Sequence, residues 1–295
     1  LVVRAPHMPA PGETILGKGF ATSPGGKGAN QAVAAARLGA TCTMIGHVGA
    51  DAFGEQLLAG LTAEGIDCES VSVTDDAATG VALIVVDSLG ENAIVVAGGA
   101  NAWLTPDDVF ASSRLFKAAD VVLLQLELPL PTVRATIDQG KRHGCTVVLD
   151  PAPVPRRMCP ELFDVDIFSP NASEAEALTG EKVSEERVDK QVAMDLIARG
   201  AKAAVLKLGA RGSLAVDNDG HFHRVSPYKV AVVDTTAAGD AFTAALGVGA
   251  AQGKSLHDAA KFANAAGALA CTKFGAQAAM PTAIEVGMLM ADQPS

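Results

Sequence analysis

Short apolar runs alternate with helical patterns along most of this chain, and that alternation restricts the possible folds more than any other feature. Five runs are rich in Val, Ile and Leu: 41–48, 121–126, 146–150, 167–169 and 203–208. Such runs indicate strands buried on both faces of a parallel sheet. Helical periodicity separates them, at 29–38, 53–64, 106–117, 131–143, 172–179 and 185–199. The alternation predicts an α/β fold with a doubly wound, mainly parallel sheet flanked by helices.

Two stretches break this rhythm. Residues 14–22 and 79–96 each read as strands without an intervening helix, and 87–92 is a polar, hairpin-like loop inside the second stretch. They predict a small antiparallel sheet separate from the main one. The C-terminal third instead predicts two helices, 238–252 and 256–272, around Gly253 to Ser255.

Composition excludes several function classes. The 295 residues carry a net charge of −10 and no cluster of Lys or Arg, which argues against nucleic-acid or anionic-membrane partners. No apolar run reaches the ~18–20 residues of a membrane span, and no signal peptide is recognisable. Five cysteines without a C-x-x-C pair indicate reduced thiols in a cytoplasmic protein.

A glycine and a carboxylate open the first of the C-terminal helices. Residues 234–240 read Asp-Thr-Thr-Ala-Ala-Gly-Asp and run into an apolar segment. Free backbone N–H groups at a helix start form an anion site, and Gly239 allows a ligand to approach closely. Asp240 beside such a site suits a phosphoryl group in transit, with the carboxylate taking a proton from the attacking hydroxyl. The alternative is an ordinary helix cap.

A second glycine motif, Gly-Gly-Lys-Gly-Ala-Asn-Gln at 25–31, precedes the Ala-rich run 32–38. It lacks the Ser or Thr that follows the lysine of a Walker loop. It also lacks the leading strand of a dinucleotide-binding fingerprint, which weakens the hypothesis of an oxidoreductase. On residue chemistry alone, Lys27 is a phosphate-side cation or a solvated lysine.

Together the motifs resemble the ribokinase family of sugar kinases, also called the PfkB family. The matching segments follow the family's order and spacing over essentially the whole chain: 11–14, 25–31, 125–127, 171–174, 208–212, 237–240 and 275–277. The resemblance implies ATP-dependent phosphorylation of D-ribose at the 5-hydroxyl in a cytoplasmic homodimer. It also implies a kinase domain of residues 24–78 and 97–295, and a β lid of residues 1–23 and 79–96 that forms the dimer.

The resemblance assigns roles residue by residue. Asp240 becomes the general base, and the anion hole becomes the backbone of Ala237, Ala238 and Gly239. The sugar site becomes Gly26, Lys27, Gly28, Asn30, Glu127 and Asp240. The ATP site becomes Asn171, Lys207, Gly209, Arg211, Gly212, Gly239 and Asn264. Glu174 would hold Mg²⁺ through water, although Asn171 and Glu174 also have the spacing of a capping box. Asp150 is a further acidic candidate near the metal.

A monovalent cation, normally K⁺, is the last implied ligand. The matching positions are Asp234, Thr236, Ala270, Lys273 and Gly275, the last four through backbone carbonyls. The family often has Ser where this chain has Ala279, which removes one oxygen from that set.

The start of the sequence departs from the family. The first strand and its Gly-Ser-x-Asn-x-Asp motif do not precede Leu1, and we expect that the sequence lacks its start. Other hypotheses remain: a kinase for deoxyribose, fructose, 2-keto-3-deoxygluconate or a nucleoside, or a non-catalytic sugar-binding regulator.

Overall fold

The structure is a computed structural model, and it describes residues 1–293. Within that range, twelve strands are β1 (Val2–Arg4), β2 (Gly19–Ala21), β3 (Thr43–Gly49), β4 (Asp67–Thr74), β5 (Val81–Val86), β6 (Asn92–Ala97), β7 (Val121–Leu124), β8 (Thr146–Leu149), β9 (Ile167–Phe168), β10 (Ala203–Lys207), β11 (Ser213–Asp217) and β12 (Phe222–Val225). Ten α-helices are α1 (Lys27–Arg37), α2 (Ala52–Ala63), α3 (Pro106–Ala111), α4 (Ser113–Ala118), α5 (Leu130–His143), α6 (Ala172–Thr179), α7 (Glu186–Ala198), α8 (Ala238–Ala251), α9 (Leu256–Ala270) and α10 (Ala283–Asp292).

The main sheet has six strands in the order β12-β11-β10-β9-β8-β7. The pairs from β7 to β10 are parallel, whereas β11 and β12 add an antiparallel edge. One buried cluster joins this sheet to α1, α8 and α9, and a second joins its other face to α5, α6 and α7. Helices therefore cover both faces, and the prediction of a doubly wound, mainly parallel sheet is confirmed.

Besides the short β1, three of these strands were not predicted. Strand β4 alternates polar and apolar residues and has none of the long apolar runs used to find the others. Strands β11 and β12 form a hairpin on the sheet edge, turned by Gly220 at φ 83° and by the Asp217 carboxylate, which accepts from the Asp219 and His221 amides. Local turn chemistry, and not periodicity, marks this hairpin.

A second sheet, in the order β2-β1-β5-β6, stands apart from the main one. Strands β2, β5 and β6 come from the two stretches that broke the alternation, so the predicted small sheet is confirmed, whereas β1 lies before both stretches. It is mixed and not purely antiparallel, because β1 pairs parallel with β5. The strand predicted at 14–22 shortens to Gly19–Ala21, since glycines at 17 and 19 weaken strand pairing.

Strands β3 and β4 form a separate parallel pair. Along residues 1–293, the other edge of β3 and the outer edge of β7 pair with no strand. A cleft lined by both strands separates them and continues to the start of α1 and to Asp240.

One helix prediction was wrong, and one helix was not predicted. The helix expected at 106–117 is divided at Ser112 into α3 and α4, and a capping box of Thr105 and Asp108 begins the first of them. Helix α10 was missed altogether, although Thr282 and Glu285 provide the capping-box signal that could have located it.

The small sheet joins the main body through a glycine-rich crossing. Asp51, at the start of α2, accepts hydrogen bonds from the amide and hydroxyl of Thr79, both at 2.8 Å. A Cβ on Gly99, which has φ 52°, would lie 2.3 Å from the carbonyl oxygen of Ala78. Only glycine fits this approach, so the entry to β5 is fixed relative to the main body.

No helix in the part of the chain that the structure describes combines the length and the apolar character that a bilayer span requires.

Substitution at the centre of the main sheet tests this packing. Leu214 is fully buried on β11, whereas Leu89 is 83% exposed at the tip of the small sheet. Leu214→Ala is expected to lower the free energy of unfolding by about 2–5 kcal/mol, because it removes buried methyl groups and leaves a cavity. Leu89→Ala, the same change at the surface, is expected to cost less than about 0.5 kcal/mol. Urea unfolding checks both, and equal losses would contradict the fold.

Candidate active site

The start of α8 leaves backbone donors free beside a buried carboxylate. Ala237 precedes the helix at φ 57° and ψ 12°, a left-handed conformation that non-glycine residues seldom adopt. The amides of Ala237 and Gly239 donate no hydrogen bond within residues 1–293, and that of Ala238 makes a 3.3 Å bond to Thr235. Asp240 follows them and is 5% exposed. Backbone strain of this kind concentrates at functional sites, and these free donors can hold an anion.

Helix α1 brings the second glycine motif against Asp240. Gly26, at φ 93°, turns the chain into the helix. Asn30, one turn later, donates from Nδ2 to Asp240 Oδ2 at 2.8 Å. The Oδ1 atom of Asn30 is buried and has no partner in the described part of the chain, so it can accept from a ligand hydroxyl.

Beneath these residues lies a polar network in which the sequence analysis gave a role to Asp150 and Asp240 but none to Gln31, Gln125 and Thr243. Gln31 Nε2 lies 3.4 Å from both Asp240 Oδ1 and Asp150 Oδ2, and Gln31 Oε1 accepts from Gln125 at 2.5 Å. Thr243 also donates to Asp150, at 3.1 Å. Gln31 and Gln125 both lie in the quoted motifs, and a count of polar residues at buried helix positions could have found Thr243.

Lys207 reaches this network from the end of β10. Its Nζ lies 2.7 Å from Asp150 Oδ1 and 3.3 Å from Thr243 Oγ1, with both partners buried. Asp150 and Lys207, at the carboxyl ends of β8 and β10, thus form an ion pair at the sheet edge where ligands bind in open α/β folds.

Lys27 is surrounded by carboxylates. Burial disfavours its charged form, but Asp240, Asp150, Glu127 and Glu174 outweigh burial and raise the pKa of Lys27. Burial in turn raises the pKa of Glu127 and of Glu174, despite the opposing charges of Lys27 and Lys207. Four carboxylates thus share two ammonium groups, and the surplus negative charge suits a divalent cation.

The pKa of Asp240 is raised above its usual value because burial outweighs the opposing effects of Lys27 and Asn30. The positive end of the helix dipole at the start of α8 favours the ionised carboxylate, but burial moves its pKa in the other direction. A carboxylate with a raised pKa is a stronger base, as proton abstraction requires.

Asn171 and Glu174 form the capping box of α6. Each reaches the backbone amide of the other, and Asn171 Nδ2 also donates to Glu174 Oε1 at 2.7 Å. A backbone bridge places Asn171 beside Lys207. Each carboxylate oxygen keeps a further lone pair, so Glu174 can still hold a metal-bound water. The residues present therefore fit Mg²⁺ bound through water.

Like Lys207 and Asn171, two more of the predicted nucleotide side chains have protein partners. Arg211 donates to Asp189 at 2.7 Å and to the Val183 carbonyl at 3.1 Å. Asn264 donates to the carbonyls of Val225 and Ser226. Gly209 and Gly212, at φ 57° and 78°, shape the exposed turn between β10 and β11.

Asp234 fastens the loop that was predicted to bind a monovalent cation. Burial opposes ionisation, but hydrogen bonds from Thr236 and the Gly275 amide outweigh it and lower the pKa of Asp234. In residues 1–293, the four predicted carbonyl ligands accept no backbone hydrogen bond outside regular elements: Thr236, Ala270, Lys273 and Gly275. Free carbonyls fit a cation, while the buried Ala279 adds no side-chain oxygen.

The predicted sugar residues gather in one cleft. Gly26, Lys27, Gly28, Asn30, Glu127 and Asp240 line it together with Ala237. Such a cleft, lined by glycine backbone, two carboxylates and an ammonium group, can hold a polyhydroxylated ligand beside an anion site.

Comparison with known proteins accords with this geometry. The model of the pfkB family carbohydrate kinases matches residues 2–283. The chain belongs to this family. Ribokinase of Haemophilus influenzae is 38% identical over 282 residues, covering 95% of this chain and 92% of the relative. Deoxyribokinase of Salmonella typhi is 35% identical over 283 residues, covering 96% and 92%. The structure of Arabidopsis thaliana ribokinase complexed with ribose and ATP has a TM-score of 0.89 at 34% identity, covering 98% of this chain and 94% of that one.

This pfkB-family kinase therefore has the ribokinase-like fold and is a carbohydrate kinase, as the sequence predicted. The comparisons do not assign roles to individual residues, and those assignments stay predictions.

Charge coupling within the site can be tested by titration. Lys27 is the largest influence that lowers the pKa of Asp240. Lys27→Met should therefore move the titration of Asp240 to higher pH, because removing the ammonium group leaves burial less opposed. Carbon-13 NMR of labelled aspartate carboxyls measures the midpoint. Lys190→Met, which changes a surface lysine paired with Glu186, is the control and should leave Asp240 unmoved. An unchanged or lower midpoint in Lys27→Met would contradict this account of the site.

Proposed function

We propose that this kinase transfers the γ-phosphoryl group of ATP to the 5-hydroxyl of D-ribose. The observation that carries the proposal is the buried Asp240 carboxylate beside the free amides of Ala237 and Gly239. A base next to an anion site suits the attack of a hydroxyl on a phosphoryl group, because the base accepts the hydroxyl proton and the anion site binds the phosphoryl oxygens. The ribokinase relatives, and the solved ribokinase complexed with ribose and ATP, support ribose as the acceptor.

The sugar half of the cleft supplies both donors and acceptors. Asn30 Oδ1 and Glu127 can accept from sugar hydroxyls, and Lys27 can donate to them. Gly26 and Gly28 let the sugar approach the backbone; a Cβ on Gly28 would already lie 3.3 Å from Gln125 Oε1. The hydroxyl next to Asp240 is then held within reach of the base.

In the transfer step, the 5-hydroxyl proton passes to Asp240 while the oxygen bonds to the γ-phosphorus. The bond from that phosphorus to the bridging oxygen breaks, and ADP leaves with the electron pair. The amides of Ala237, Ala238 and Gly239 donate to the transferring oxygens; losing one such donor typically costs ~10²–10³ in rate. Asn30 and Gln31 hold the Asp240 carboxylate in place.

The nucleotide is proposed to lie along the turn Gly209–Gly212, with Lys207, Asn171 and Asn264 beside it. Mg²⁺, held through water by Glu174, would neutralise phosphate charge. Lys207 and Asp150 already form an ion pair at that point, so the phosphate side of the cleft holds a fixed cation.

Deoxyribose is the second candidate acceptor, because the deoxyribokinase relative covers 96% of the chain, as fully as the ribokinase of Haemophilus influenzae does at 95%. The two sugars differ by one hydroxyl. A buried site group left without that hydroxyl costs about 1–3 kcal/mol, so a site built for ribose discriminates against deoxyribose.

A sugar panel tests the function. ATP consumption should be fastest with D-ribose, against deoxyribose, fructose, 2-keto-3-deoxygluconate and adenosine, and phosphorus NMR should identify ribose 5-phosphate. Asp240→Asn should still bind ATP and ribose but lose ~10²–10⁴ in turnover, since only proton transfer is removed. Faster deoxyribose turnover would establish the alternative acceptor. Near-wild-type turnover in Asp240→Asn would remove this residue from the mechanism.

We also propose a K⁺ site at the loop fastened by Asp234. Of the four free carbonyls, that of Thr236 lies just before α8 and the other three lie at or after the end of α9, and cation binding there would hold the anion hole rigid. All of these ligands are oxygens, so the fit of an ion depends on its size, and K⁺ and Na⁺ should differ.

Turnover should rise more with K⁺ than with Na⁺, measured against a buffer without monovalent metal. Ala279→Ser should lower the K⁺ concentration for half-maximal activation, because it adds a hydroxyl oxygen at the position that lacks one. Identical rates in all three buffers would contradict the proposed cation site.

The small sheet is proposed to be the lid and the dimer contact. It exposes a band of large apolar side chains, as a surface covered in an assembly does: Phe20, Leu83, Ile94, Val95 and Val96. The division into residues 24–78 plus 97–295 and 1–23 plus 79–96 follows this sheet. A cytoplasmic location is proposed on the five free cysteines.

A further inference from the structure

A fully buried carboxylate outside the catalytic cluster holds two guanidinium groups. Asp189, on α7, has no exposed surface. Its Oδ2 accepts from Arg211 Nη1 at 2.7 Å and from Arg224 Nη1 at 3.0 Å, while its Oδ1 has no partner within residues 1–293. A charge this deeply buried is costly unless it is paired, so both arginines are tied to one point on α7.

Both arginines act on the same turn. Arg211 belongs to the turn Gly209–Arg211, and Arg224, on β12, donates from Nη2 to the backbone carbonyl of Arg211 at 3.1 Å. Asp189 thus holds the turn in two ways. It binds the side chain of Arg211 directly, and through Arg224 it also holds the backbone carbonyl of Arg211.

The turn has further supports besides Arg224. Arg211 also donates to the Val183 carbonyl at 3.1 Å. Within the turn, the Leu208 amide donates to Gly212, the Arg211 amide to Leu208 and the Gly212 amide to Gly209, and Lys207 pairs with Ser213 where β10 and β11 flank the turn. Gly212 packs on β12, where a Cβ would lie 2.0 Å from the Val225 carbonyl oxygen. At its other end, Lys207 is anchored on Asp150 in the catalytic cluster. The two ion pairs therefore fix the two ends of one short segment.

We infer that Asp189 is a positioning residue for the nucleotide, which it orients by holding the turn Gly209–Gly212 through Arg211 and Arg224. The inference rests on the proposed ATP-dependent function. Replacing a buried ion pair by apolar groups is often neutral for stability, so the buried cluster is better explained by the geometry it imposes than by the stability it adds. Loss of the carboxylate would leave two guanidinium groups facing each other, and the turn would move away from its position.

Calorimetric titration with ATP and, separately, with ribose tests the inference in the full-length chain. Asp189→Asn keeps the side-chain shape and removes the charge; it should weaken ATP binding about tenfold and change ribose binding less than twofold. Arg224→Met, which releases the Arg211 carbonyl but keeps the Arg211–Asp189 pair, should weaken ATP binding by a smaller factor. In the same way, the KM for ATP should rise in both variants, whereas the KM for ribose should change little.

Asp195→Asn is the matched control. It removes an exposed ion pair with Arg199 on the same helix and should change neither affinity. Unchanged ATP affinity in both Asp189→Asn and Arg224→Met, or equal weakening for ATP and ribose, would overturn the inference. If Asp189→Asn does not fold, Arg224→Met decides alone. Wild-type protein that binds ATP but phosphorylates no ribose would refute the proposed acceptor, while the ATP affinities would still decide the role of Asp189.

Discussion

Burial of the Asp240 carboxylate is the constraint on which the site depends. A nearly inaccessible negative charge needs donors, and it receives them from Asn30 and Gln31 on α1 and from the field of Lys27. Those residues lie more than two hundred positions before Asp240 in the chain. Their contacts with Asp240 therefore require α1 and α8 to pack side by side. Small residues on α8 permit the matching contact with the sheet: a Cβ on Gly247 would lie 2.6 Å from a methyl group of Leu123.

The same hydrogen-bond network connects the two halves of the reaction. Gln31 touches Asp240 on the sugar side and Asp150 on the phosphate side, and Asp150 holds Lys207 at the end of β10. A shift of either carboxylate would therefore move groups on both the sugar side and the phosphate side of the cleft. Networks of this kind are rigid when each member is satisfied, and rigidity is what alignment of a hydroxyl with a phosphorus atom requires.

The parallel core and both glycine motifs could be predicted because each depends on local pattern. Strands such as Val121–Leu124 are continuous apolar runs, and the Gly-Asp start of α8 is a local signal for an anion site. Strand β4 and the hairpin of β11 and β12 were missed because cross-strand pairing and turn chemistry, and not long apolar runs, determine these strands. The raised pKa of Asp240 could not be foreseen either, since burial is a property of the packed molecule and outweighs the local helix start.

Side chains that are already bonded within the protein change the expected means of nucleotide recognition. Arg211 and Asn264 were expected to contact ATP, yet their donors are directed at Asp189 and at the carbonyls of Val225 and Ser226. What remains available at the turn is backbone, exposed by Gly209 with no side chain in the way. Backbone donors cannot be repositioned by rotamer changes, so their accuracy depends on how firmly the turn is held. In this chain, the proposed specificity for the nucleotide is therefore a matter of anchoring, with Lys207 on Asp150 at one end and Arg211 on Asp189 at the other.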